Sequence, residues 1–332
     1  MTQDTSLRGI HVPLVTPFTA DGRIATEALE ELARDVLDAG ADGIVALGST
    51  GEAAALDAGE KAAVVDVCAR VCRERQAPLL IGAGSNDTRS SALALAGLSR
   101  WPEATAALVP VPYFTRPSEA GVRAHFTQLA ATSPVPLVIY HIPYRTGQQL
   151  GAATLRSLGS LSGISGVKYA TGAIDQAAVD LLGSPPPKFS VLAGDDLFLS
   201  PMLALGAAGG IIASAQLATG RFVELAAAWR TGDAAAARRL GHALARLSAA
   251  AFAEPNPTVI KGVLHAQGRI PTADVRLPLL PAGRDSVEEA LKECGYRACE
   301  VPPEPPRYGP AQGQCPQEPP PMAGAAGAPG DA

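Results

Sequence analysis

Lysine is scarce in this chain. Only Lys61, Lys168, Lys188, Lys261 and Lys292 stand among its 27 basic residues, the rest being arginine. Arginine serves wherever a plain positive charge is wanted, but it cannot shed its proton to become a nucleophile. Lys168 closes the run Ile164-Ser165-Gly166-Val167-Lys168, just ahead of a turn at Gly172. Such a run reads as a buried parallel strand that delivers one side chain to the rim of a sheet. Apolar surroundings disfavour a charged amine, so a lysine placed there can act as a nucleophile. The plain alternative is a lysine that snorkels to water or pairs with a carboxylate.

Three further stretches hold side chains able to work beside that amine. Gly48-Ser49-Thr50-Gly51-Glu52 offers two hydroxyls and closely approaching backbone amides, a cradle for a small carboxylate. Val111-Pro112-Tyr113-Phe114-Thr115-Arg116-Pro117 is aromatic and rigid. Tyr140-His141-Ile142-Pro143-Tyr144-Arg145-Thr146-Gly147 supplies a phenol and a guanidinium. Taken singly, a Ser-Thr-Gly turn is often only a turn, and a strand-end tyrosine is often core. Brought to one rim, they supply a nucleophilic amine, a proton-transfer hydroxyl and two anion anchors, a combination suited to Schiff-base chemistry on a 2-oxo acid.

The rest of the pattern says what brings them together. Apolar, near-continuous strand runs fall at Ile10–Val15, Gly43–Leu47, Leu79–Ala83, Ala106–Val111, Leu137–Tyr140, Ile164–Lys168, Val191–Ala193 and Gly210–Ala213. Helical periodicity lies between and after them, near 26–39, 57–75, 88–100, 118–132, 152–160, 175–183, 197–205 and 221–231, with Asp57, Thr88 and Ser118 as caps. Eight strand–helix units predict a (β/α)8 TIM barrel over residues 1–231, whose active site is built from strand C-terminal ends. The competing open doubly wound sheet lacks its Gly-x-Gly-x-x-Gly after the first strand. Residues 232–298 read as a C-terminal helical region, with helices at Ala234–Phe252, 258–267 and 285–295. Residues 299–332 read as a disordered tail: from 301 on there are ten prolines and five glycines, and little that could offset the entropy of ordering.

Composition excludes other classes. A chain of 332 residues accommodates a barrel of about 250. A net charge of −5 without a Lys/Arg cluster argues against nucleic acid as a partner. Residues 197–220 carry no charge but are too rich in Ala, Gly and polar residues for a lipid span, and read as a buried helix and strand. The N-terminus lacks the features of a signal peptide, so the expectation is a cytoplasmic protein. Five cysteines without zinc-site spacing read as free, packed thiols, with no metal.

Several motifs in order make a resemblance specific: Gly48-Ser49-Thr50-Gly51-Glu52, Tyr140-x-x-Pro143-x-Arg145-Thr146-Gly147, Gly166-Val167-Lys168-x-Ala170-Thr171-Gly172, Gly194-Asp195-Asp196, Glu254-Pro255-Asn256-Pro257 and Arg276-Leu277-Pro278. Over residues 8–298 the chain resembles the dihydrodipicolinate synthase/N-acetylneuraminate lyase family of class I aldolases. The resemblance implies that Lys168 forms the pyruvate imine and Tyr140 shuttles protons. It also implies that Ser49 and Thr50 bind the pyruvate carboxylate, with Ser49 passing protons too, and adds Gly51 and Ile212 to the substrate contacts. Arg145 matches the residue that holds the carboxylate of aspartate semialdehyde, which favours the synthase branch. Three positions depart from that branch: Ser49 replaces a threonine, Tyr169 stands where glutamate is common, and Phe114, beside Tyr113, replaces a tyrosine that reaches a neighbouring subunit's site. The alternatives are another pyruvate-forming lyase, a 2-keto-3-deoxy sugar-acid aldolase or dehydratase, or a non-catalytic 2-oxo-acid binder. No cofactor is implied, and the assembly implied is a homotetramer, a dimer of dimers. The polar residues that hold a lysine inhibitor in some members match Ala53, Ala58, Asn86 and Ser90, so no feedback inhibition by lysine is expected.

Overall fold

In a computed structural model, which describes residues 7–295, eight parallel strands close into a barrel in sequence order, β1 pairing with β8. The strands are β1 (Gly9–Pro13), β2 (Gly43–Ala46), β3 (Leu79–Gly82), β4 (Ala104–Pro110), β5 (Leu137–His141), β6 (Ile164–Tyr169), β7 (Ser190–Ala193) and β8 (Gly209–Ile211). Their apolar runs are explained by two cores. Val45, Leu80, Leu108, Val138, Leu192 and Ile211 fill the barrel, while Ile44, Leu79, Ile81, Val109, Ile139 and Val167 pack outward under the helices. Each such side chain, once fully buried, contributes about 1.5–3 kcal/mol. Closure brings β8 against β1 so closely that a Cβ on Gly209 would lie 1.9 Å from the Gly9 carbonyl oxygen. Glycine is the residue that fits there.

The helices through the barrel are α1 (Thr26–Asp38), α2 (Ala58–Arg75), α3 (Thr88–Ala96), α4 (Glu119–Thr132), α5 (Pro143–Thr146), α6 (Ala152–Gly159), α7 (Gln176–Gly183), α8 (Leu199–Ala204) and α9 (Ala215–Thr231). Asp57 caps α2 in a reciprocal box with Glu60, and Ser118 caps α4. For α3 the cap is Asp87, whose carboxylate accepts from Ser90 N, and the expected cap Thr88 is its first residue. The uncharged stretch 197–220 is α8, β8 and the start of α9, as expected for a buried segment. Helix α9 begins earlier than its periodicity suggests, at a turn broken by Ala218 (φ −153°, ψ 49°). There the buried amide of Gln216 accepts from Val15 N and donates to Ala213 O, closing the end of β1.

Gly232 ends α9 in the left-handed region, and three helices follow: α10 (Ala234–Ala251), α11 (Thr258–Ala266) and α12 (Arg284–Cys294). They pack on one another and on the barrel, α10 against α8 and α9, and α11 against α9 and a core shared with Val15 and Ala213. Cys68 and Cys72 are buried free thiols, and burial pushes Cys72 up to about 12. No helix among the described residues is long and apolar enough to cross a membrane. The tail expected over 299–332, with Cys299 and Cys315, lies outside the described residues.

Candidate active site

Strands β5 and β6 run in a register that sets Tyr140 opposite Lys168. Alternation along each strand turns both inward, whereas His141, Val167 and Tyr169 face the helices. Lys168 is 5% exposed, and its Nζ stands 4.4 Å from the centroid of the Tyr140 ring. Among the described residues that amine makes no hydrogen bond and no ion pair. Its stem has room because residue 194 is glycine: a Cβ there would come 2.7 Å from Lys168 Cγ. Below it Asp196 is buried. Burial raises its carboxyl pKa, while hydrogen bonds from Ser214 N (2.6 Å) and Oγ (2.7 Å), and attraction to Lys168, act in the opposite direction.

The turn after β2 comes to the same rim. Ser49–Gly51 forms one turn of 3-10 helix, with Ser49 exposed and Thr50 buried. Glu52 leaves it in the left-handed region (φ 52°). The Gly51 carbonyl accepts from Thr16 Oγ1 at 2.8 Å, and Thr50 Oγ1 accepts from Asn256 Nδ2 at 3.0 Å. Arg145, on the short helix α5, is exposed and forms no ion pair among the described residues. A cleft of about 970 Å3 is lined by Ser49, Tyr113, Tyr140, Arg145 and Thr146, together with Ala53, Ala58 and Ser90. Lys168 does not line this cleft; its amine lies beside the ring of Tyr140, which does. A phenol, the Ser49 hydroxyl and a guanidinium without an ion pair thus share one opening, with the Lys168 amine beside the ring of that phenol; these are the groups that a 2-oxo acid and a second anionic group call for.

The remaining expected residues fall differently. Ile212 is fully buried with its side chain in the outer core, so it presents only backbone toward the barrel mouth. Tyr169 also points outward, its hydroxyl donating to Asp175 (2.6 Å), the cap of α7, and its ring against His141. Its departure from glutamate therefore does not touch the cleft. Phe114 is 88% exposed on a left-handed residue (φ 68°) and does not line the cleft, whereas its neighbour Tyr113 does. Two contacts were not foreseen from the sequence. Tyr144 donates to Asp195 (2.9 Å), which also accepts from Gly172 N (2.7 Å), tying the loops after β5, β6 and β7; burial beside that carboxylate raises the Tyr144 pKa. Asn256 reaches Thr50 across 206 residues, and its only signal was a motif with no assigned role.

A protein-family model, the dihydrodipicolinate synthetase family, matches residues 6–294. The 4-hydroxy-tetrahydrodipicolinate synthase of Moorella thermoacetica is 37% identical over 288 residues, which is 85% of this chain and 96% of that protein. The enzyme of the same name from Neisseria meningitidis serogroup B is 36% identical over 292 residues, covering 87% and 99%. Among solved structures, the chloride-inhibited dihydrodipicolinate synthase from Acinetobacter baumannii, complexed with pyruvate, is similar with a TM-score of 0.83 at 33% identity, covering 87% of this chain and 99% of that one. Dihydrodipicolinate synthase from Aquifex aeolicus gives a TM-score of 0.82 at 31% identity, covering 87% and 98%.

Proposed function

The chain belongs to the dihydrodipicolinate synthetase family, and on that premise we propose that it condenses pyruvate with L-aspartate semialdehyde through an imine on Lys168, as a lyase of lysine biosynthesis. The observation that carries the residue assignment is the register of β5 and β6, which puts Tyr140 beside a buried Lys168 whose amine makes no hydrogen bond or ion pair among the described residues.

The chemistry follows from that placement. Deprotonated Lys168 Nζ attacks the pyruvate ketone, and loss of water gives the imine. Loss of a proton from the methyl carbon gives an enamine, which adds to the aldehyde carbon as the aldehyde oxygen takes up a proton. The substrate's own amine then attacks the imine carbon, closing the ring and releasing Lys168. In this reading Tyr140 and Ser49 carry the protons, and the Ser49-Thr50-Gly51 turn holds the pyruvate carboxylate. Arg145 offers its free fork to the carboxylate of the aldehyde substrate. No step calls for a metal or organic cofactor.

The resemblance implies a homotetramer, and large apolar side chains left exposed in the single chain, Phe114, Leu93, Leu277 and Leu280 (88%, 68%, 78% and 69%), are in keeping with an assembly. Sedimentation of the purified chain tests that. The reaction itself is tested by incubating the protein with pyruvate and a panel of aldehydes. Aspartate semialdehyde is expected to be consumed fastest; preference for a sugar-derived aldehyde would move the assignment to a 2-keto-3-deoxy acid aldolase.

A further inference from the structure

The motif Glu254-Pro255-Asn256-Pro257 and the segment around Arg276 meet the turn that carries Ser49 and Thr50. Asn256 Nδ2 donates to Thr50 Oγ1 at 3.0 Å. Two residues further along the turn, Glu52 is buried and accepts from Lys261 Nζ (2.6 Å) and from Arg276 N (2.8 Å). Lys261 also donates to Asp274 O (2.6 Å), and the Arg276 guanidinium reaches Ala55 O (2.9 Å) and Glu60. The carboxylate cradle is therefore clamped from the C-terminal helical region at three points.

A hydroxyl has one hydrogen to give and lone pairs to receive. At Thr50 a lone pair is engaged by the Asn256 amide, which as a donor cannot take the hydroxyl hydrogen. Turned over, the amide would place an NH2 group with two donors where Oδ1 now lies buried without a partner, a worse loss. We propose that Asn256 is a positioning residue that fixes the polarity of Thr50: by donating to Oγ1 it keeps the hydroxyl hydrogen for the carboxylate of the 2-oxo acid. The Glu52–Lys261 pair holds the turn on which this works. The inference rests on the reading that Thr50 binds the pyruvate carboxylate.

Polarity and shape make opposite predictions for one pair of variants. In Asn256→Asp the new carboxylate accepts the Thr50 hydrogen, leaving lone pairs and an added negative charge facing the substrate. In Asn256→Ala the hydroxyl is free to turn. The KM for pyruvate, read from borohydride-trapped adduct against pyruvate concentration, is expected to rise about 10- to 100-fold in Asn256→Asp, the scale of a hydrogen bond to a charged group, but only roughly 2- to 10-fold in Asn256→Ala. The maximal extent of trapping should stay near that of the parent in both. A role in shape alone predicts that the isosteric Asp is the milder change, and that order overturns the inference. Should Asn256→Asp fail to fold, Asn256→Gln takes its place. It retains the donor and is expected to recover part of the loss seen in Asn256→Ala; no recovery overturns the inference. Thr50→Val separates the premise: an unchanged KM there removes the carboxylate role of Thr50, whereas a raised KM with Asp milder than Ala removes only the role of Asn256.

Discussion

Two buried lysines, Lys168 in the barrel and Lys261 on α11, sit in opposite circumstances. Lys261 is wholly buried, paired with Glu52 and Asp274 O, and lies 4.0 Å from the centroid of the Phe18 ring. Burial lowers its pKa, the neighbouring carboxylate opposes that, and two of its three N–H donors are engaged within the chain. Lys168 is buried to nearly the same degree, but among the described residues its amine makes no hydrogen bond or ion pair, with the face of Tyr140 beside it and Asp196 near enough to attract it. A buried amine tied to a carboxylate and a carbonyl of its own chain holds structure together. One buried at a strand end, with its bonds unmade, is ready for chemistry.

The contrast is sharpest if Lys261 is altered. Lys261→Met leaves the Glu52 carboxylate buried without its cation, and removing one partner of such a pair costs about 3–5 kcal/mol. Denaturant unfolding should show that loss, and part of it should return in Glu52→Gln/Lys261→Met. A stability within about 0.5 kcal/mol of the parent would make the pair ornamental.

Arg145 probes the other side of the comparison. Arg145→Ala is expected to lose about 1.5–3 kcal/mol of binding to a carboxylate, or roughly 10- to 100-fold in kcat/KM for aspartate semialdehyde, with the pyruvate adduct intact. Equal damage to adduct formation would make Arg145 structural.

A smaller effect belongs to the clamp around Lys261. Hydrogen bonds from Arg276 above all hold the Glu60 carboxyl down to about 2 from its ordinary 4.5. A carboxylate depressed in the folded state gives stability that is complete above the unfolded value and disappears as pH falls through the folded one. Glu60→Gln should therefore lose roughly 1 kcal/mol at neutral pH, screening included, and flatten the acid limb of the stability profile between about pH 4.5 and pH 2. An unchanged acid limb would contradict this.

The smallest expected change is Phe114→Tyr, which adds a hydroxyl at an exposed loop tip. A several-fold gain in kcat with pyruvate and aspartate semialdehyde, at unchanged adduct, would place that loop in the proton path of an assembled enzyme. No gain would leave the ring without a part in proton transfer.

The barrel was legible because its strands are buried on both faces, so their apolar runs survive in the sequence as plainly as the helical periods between them. The positions of Lys168 and Tyr140 on neighbouring strands, and of Ser49 and Arg145 just after β2 and β5, were legible as well. Asn256 and Lys261 were not, because their partners lie 206 and 209 residues away and a helix pattern carries no record of what its buried polar groups will meet. Ile212 and Tyr169 show a subtler limit. A position beside the site need not point into it, and strand alternation sends both side chains outward.

The division of labour between the two lysines is tested most directly by reducing the protein with borohydride in the presence of pyruvate and mapping the adduct by peptide mass. One reduced-pyruvate adduct on Lys168 is expected, absent in Lys168→Arg and retained in any Lys261 variant that folds. An adduct on Lys261, or none on Lys168, would contradict the account.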